Sequence, residues 1–194
     1  MPNESRNFHI HITTEDGNEL AKRLGQTMSN NKHYLLVYDP FEATIDWNAI
    51  IPFINNWSEV ILNHMVSDSM RAVKMVKKDA ARSKYEQTYL TDLENLIPYG
   101  SDKTAYEKRV EEIIKALHRN KSRQYYIAAF PFFNEKNAIV YNLIHCTGNI
   151  KGFKLYKQSA WQTFGGKSST KNTHGNENQI MLDFEGNGFL KTMT

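Results

Sequence analysis

Asp39, Phe41 and Asn63 are the residues whose types and setting could do chemistry. Asp39 closes the apolar run Tyr34-Leu35-Leu36-Val37-Tyr38 and is followed by Pro40 and Phe41. A continuous apolar run bounded by proline predicts a buried strand of a parallel sheet. Ligands of open α/β sheets gather beyond the carboxyl ends of such strands. There Asp39 can accept hydrogen bonds from a substrate donor, Pro40 fixes the bend, and Phe41 can stack on a flat group. Asn63 ends the next apolar run, Val60-Ile61-Leu62, so its amide can face the same crevice. Each has a plainer use as well: Asp39 can bond its own turn, and Asn63 can cap the following helix. His64 is expected in an exposed loop.

Other groupings carry less. His9 and His11 share one face of an alternating run and could begin a metal site with Glu15 or Asp16; a solvated strand face explains them without a metal, and no metal site is assigned. Arg71, Lys74 and Lys78, with Lys77, Arg82 and Lys84 nearby and Tyr85 and Tyr89 downstream, could follow phosphates while the rings stack on bases. A solvated helix face accounts for the same residues. Phe130-Pro131-Phe132-Phe133 is expected to serve packing at a strand end. Gly165-Gly166-Lys167-Ser168 lacks the glycine that a phosphate loop places five residues before its second glycine, because Trp161 stands there.

The whole chain sets the limits on these readings. Its 194 residues suggest one domain. Hydrophobic residues at 40% and charged residues at 23% are enough for a packed core. A net charge of +3 is too small to announce nucleic-acid binding by itself. Cys146, the sole cysteine, excludes an intrachain disulfide and any multi-cysteine metal site, and its apolar strand predicts an inert thiol. Residues 1–6 have no apolar signal core, and no uncharged apolar stretch reaches spanning length. The expectation is a soluble cytoplasmic protein with no membrane partner.

The elements that must position Asp39 and Asn63 follow from periodicity. Phe8 to Thr13 alternates as a strand. Thr13 or Thr14 would cap a helix with the stripe Leu20, Leu24 and Met28. After the strand Tyr34 to Tyr38, Asp46 would cap a short helix through Trp47, Ile50, Ile51 and Ile54 despite Pro52. Glu59 to Asn63 reads as a strand, and Ser67 or Asp68 as the cap of a helix with Met70, Val73 and Val76. That alternation implies parallel crossovers. Residues 74–100 are polar. A helix follows from Asp102 to Leu117, then a hairpin of Arg123–Pro131 and Ala138–Thr147, then a helix over Ile150–Phe164. Residues 165–194 form a polar mobile segment, with a terminal hairpin at Ile180–Phe184 and Gly188–Leu190.

Taken in order, Leu36-Val37-Tyr38-Asp39-Pro40-Phe41 with Trp47, then Val60-Ile61-Leu62-Asn63, Tyr126-Ile127-Ala128-Ala129 with Pro131, Tyr141-Asn142-Leu143-Ile144-His145-Cys146-Thr147, Gly152 and Trp161, resemble the three-Cys-motif partner family (TcmP). The resemblance runs from about Phe8 to Phe164. It implies an α/β fold: a Rossmann-like, methyltransferase-type mixed sheet with an antiparallel C-terminal hairpin and helices on both faces, residues 1–164 making the domain. It further implies a bacterial two-component system in which a partner protein carries the cysteines. Asp39, Phe41 and Asn63 would then form the substrate rim. Two departures stand out. Glu42 replaces the family's turn glycine, and before Asp39 only the isolated Gly17 and Gly25 occur, so the first Gly-rich strand–loop–helix is lacking. No cofactor is therefore expected on this chain alone, and S-adenosylmethionine would require the loop from a preceding part. The alternative is a non-catalytic protein- or nucleic-acid-binding module on the same scaffold.

Overall fold

The computed structural model describes residues 9–42, 44–56, 58–65, 79–96, 109, 111–117, 126–133, 139–164, 182–185 and 188–190. Helix α1 (Gly17–Gln26) starts at Asp16, whose carboxylate accepts the Asn18 and Glu19 N–H groups at 2.9 and 3.1 Å. The expected caps Thr13 and Thr14 do not begin it; Thr13 Oγ1 accepts only the Glu15 N–H, at 3.2 Å. Strand β1 (Tyr34–Tyr38) follows, then α2 (Trp47–Ile54), capped as expected by Asp46 through the Asn48 N–H at 3.0 Å. Pro52 lies inside α2, where it sacrifices a helical hydrogen bond. Gly25 lets α1 approach that ring: a Cβ there would lie 2.5 Å from Pro52 Cβ.

Strand β2 (Ser58–His64) pairs in parallel with β1, aligning Tyr38 with Leu62. Helices α3 (Asp79–Tyr89) and α4 (Leu93–Leu96) and helical residues 111–117 precede the hairpin of β3 (Tyr126–Phe133) and β4 (Ile139–Thr147). Next come α5 (Ile150–Phe164), β5 (Leu182–Glu185) and β6 (Gly188–Leu190). The six-stranded sheet has the order β1-β2-β4-β3-β5-β6, and every pairing except β1–β2 is antiparallel. Strand β4 thus inserts antiparallel between β2 and β3, which run in one direction. The terminal hairpin joins the same sheet through β5 against β3.

Two cores lie on opposite faces. Trp47, Ile50 and Phe53 of α2 pack with Val60, Leu62, Ile113, Ile127 and Ile144 on one. Phe130, Phe132 and Ala160 of α5 pack on the other. This confirms the packing expected of the aromatic run, with the Phe132 and Tyr141 rings stacked at 4.6 Å between centroids. Cys146 is fully buried among apolar neighbours, which pushes its thiol far above the usual range and makes it the inert thiol expected.

Several expectations are corrected. The alternating run before α1 makes no strand: residues 9–14 have no regular structure, and Ile10 and Ile12 are 85% and 90% exposed. Alternation supplies a face but not a neighbour to pair with, and among the described residues this run has none. Phe8 lies outside them. Strand β1 is an edge strand, not a central one. Only its inner face is covered, so Leu35 and Val37 remain 60% and 63% exposed. Residues 79–89, read only as polar, are helical. Tyr85 and Tyr89, four apart, turn one stripe toward the core. The helix expected after Ser67 falls outside the described residues, as does most of the stretch from Asp102 to Arg109.

Candidate active-site rim

The register that aligns Tyr38 with Leu62 brings their successors together. Asn63 Nδ2 donates to Asp39 Oδ1 at 2.8 Å, joining two of the three residues expected at the rim. By strand alternation both side chains share the face of Leu35, Val37 and Ile61. Helix α5 covers β3 and β4 on that face. The β1–β2 corner is left open, an apolar strip ending in a carboxylate–amide pair. Asp39 is exposed and Asn63 partly so, while Asn63 Oδ1 is buried without a hydrogen-bond partner. Phe41 is 100% exposed and touches neither, so the third expected member is available to a ligand but held by nothing.

The loop behind Asp39 is firmly placed. The Tyr38 hydroxyl donates to Asn18 Oδ1 at 2.8 Å and accepts the Asp46 N–H at 3.1 Å, tying both helix starts to the end of β1. Its own acidity is weakened, first by burial. Thr88 of α3 holds the other side: its Oγ1 accepts the Ile45 N–H and its carbonyl accepts Trp47 Nε1–H, both at 2.9 Å. Asp46 also pairs with Lys22 at 2.9 Å. An open cavity of about 1500 Å³ runs beside this loop, bordered by Asp39, Phe41, Lys84 and both faces of β1.

His64 was expected in an exposed loop; it is instead the last residue of β2 and 1% exposed. The period-two run Ser58, Val60, Leu62, His64, all inward, would have placed it. Its Nε2 lies 2.8 Å from the Tyr89 hydroxyl and its Nδ1 is buried without a partner. Burial first, and then the charge of Arg109, push the imidazole down to about 3, so it is neutral at pH 7. Across the ladder it faces Asn142, whose buried amide also lacks hydrogen-bond partners. Neither His64 nor Asn142 could be found from a motif; both are polar residues in apolar strands.

At the other end of β2, Glu59 accepts from Thr147 Oγ1 at 3.4 Å and lies 3.2 Å from His145 Nε2. His145 stacks on Tyr156 of α5, with centroids 4.3 Å apart. Burial lowers the basicity of His145, and Glu59 partly restores it.

Arg71, Lys74 and Lys78 lie outside the described residues. His9 and His11 stand on the irregular exposed segment, and no cluster of three or more metal-ligating groups occurs among the described residues. No described helix is long and apolar enough to cross a membrane. Three described glycines have identifiable surroundings. Gly25 faces Pro52, Gly152 faces Glu59, and Gly17 opens a helix whose first N–H groups already bond Asp16. The carboxylate–amide corner is thus an open polar rim on an α/β sheet, and no family model, curated protein or solved structure matches the chain.

Proposed function

We propose that this chain is a methyltransferase-like partner protein of the three-Cys-motif partner type. Asp39 and Asn63 hold a donor group of the substrate, and a cysteine-bearing partner acts beside them in a bacterial two-component system. The observation that carries this reading is the 2.8 Å bond between Asn63 and Asp39 at the carboxyl ends of the parallel strand pair β1–β2. The insertion of β4 antiparallel beside β2 is the pattern expected of a methyltransferase-type, Rossmann-like sheet. With Oδ1 of Asp39 taken by Asn63, the second carboxylate oxygen of the exposed Asp39 offers an acceptor to an amine or amide. Phe41 can close over a flat group.

Autonomous S-adenosylmethionine-dependent turnover is not assigned to the chain, because the sequence before Asp39 carries only the isolated Gly17 and Gly25. Calorimetric titration with S-adenosylmethionine should give no binding heat with the chain alone; tight binding would refute that part. In the partner's presence, Asp39→Ala should abolish turnover while leaving the fold intact. If activity survives, the rim is not the site. Partner binding that survives Asp39→Ala, in a chain that shows no turnover with or without the partner, would favour the docking-module alternative.

A further inference from the structure

We propose that the chain forms a two-fold dimer by antiparallel pairing of β1 with β1 of a second copy. Among the described residues β1 pairs only with β2, so its outer edge presents unpaired backbone N–H and C=O groups. Natural edge strands are usually guarded by a charge, a proline or a bulge. Tyr34-Leu35-Leu36-Val37-Tyr38 has none of these, and its exposed face carries Leu35 and Val37. The cavity along it is lined from both faces of the strand, by Leu35 and Val37 with Leu36 and Tyr38, so it follows the open edge.

The occupant is identified by the strand's own symmetry. Read backwards, the pentapeptide is nearly itself. With the two-fold axis at Leu36, Tyr34 faces Tyr38 of the second copy, Leu35 faces Val37, and Leu36 faces Leu36. An isologous interface needs such self-complementarity. The flanks agree in charge. One residue further on, the exposed His33 of one copy meets the exposed Asp39 of the other, and the cationic Lys32 lies beside the same acidic corner. Each copy thus brings a basic flank to the other's rim, and the two sheets join through main-chain bonds, as in strand addition. The inference is independent of the methyltransferase-like assignment.

Sedimentation or light scattering of the full chain over a wide concentration range tests it. The expected result is a monomer–dimer equilibrium. Val37→Lys, at an exposed position, should raise the dissociation constant roughly tenfold or more without changing the far-ultraviolet spectrum. Register is tested by oxidation: Leu36→Cys should link two copies, because that residue faces itself across the axis, whereas Leu35→Cys should not. A chain that stays monomeric at every concentration overturns the proposal, whatever else binds the edge. So does a dimer that is indifferent to Val37→Lys and unlinked through position 36.

Discussion

At the amino end of β2, the half-buried Glu59 has protein partners: His145 at 3.2 Å, Thr147 at 3.4 Å, and Gly152 of α5 so near that a Cβ there would fall 2.5 Å from Oε1. At the carboxyl end, four residues on, Asn63 reaches the exposed Asp39 at 2.8 Å, at a corner of the sheet that no described helix covers. The same strand therefore supports two polar sites built for different ends. Where α5 lands on the sheet, Glu59 is committed to protein partners and contributes to architecture. Where the sheet is bare, acceptors remain to be filled. Chemistry belongs to the second kind of place, because a group already satisfied by the fold has nothing to offer a ligand.

The largest effect should come from beneath the carboxyl end. His64 is neutral in the folded protein, with its ordinary value of 6.5 pushed down to about 3, so the unfolded chain takes up the proton first. Stability is full above pH 6.5 and falls as pH drops toward about 3, by about 1.4 kcal/mol per pH unit. Chemical denaturation as a function of pH should show this slope, and His64→Gln should flatten it. Next, Glu59→Ala leaves His145 buried beside a lost partner and should cost about 1–3 kcal/mol by the same measurement. Asp39→Ala and Asn63→Ala, at the open end, should each cost about 1 kcal/mol or less while removing substrate binding. A larger stability loss at Asp39 than at Glu59 would reverse the comparison. Gly152→Ala should have the smallest effect. The gain in helix propensity, about 1 kcal/mol, offsets the displacement of a flexible Glu59 carboxylate, and melting should change by only a few degrees.

Much of the frame was legible. Asp46 as a cap, α2 despite its proline, β2, the hairpin and α5 over Ile150–Phe164 all follow from local signals: a short polar cap, a 3.6-residue stripe, a turn between apolar runs. The pairing of Asp39 with Asn63 was legible only as two residues ending adjacent strands. Phe41 was foreseen at the rim, but local sequence does not say whether an aromatic after a turn folds in or stays out. The failures share a cause. Residues 9–14 have a strand's pattern without a strand's neighbour, and Tyr34–Tyr38 has a buried strand's composition at an exposed edge. His64 follows Asn63 and so reads locally as a loop residue, whereas its parity with Leu62 puts it on the buried face of β2.

The sequence by itself determined where α2, β2 and α5 lie, that the thiol of Cys146 would be inert, and that an acid and an amide would close two successive strands. These are properties of a few neighbouring residues. Only the tertiary structure decided that β1 lies at an edge, that β4 inserts beside β2, that His64 is enclosed while Asn63 is not, and that Glu59 meets His145 from 86 residues away. Those outcomes depend on which strand becomes whose neighbour and which face a helix covers, and burial, not residue type, is what sets a polar group's charge and partners.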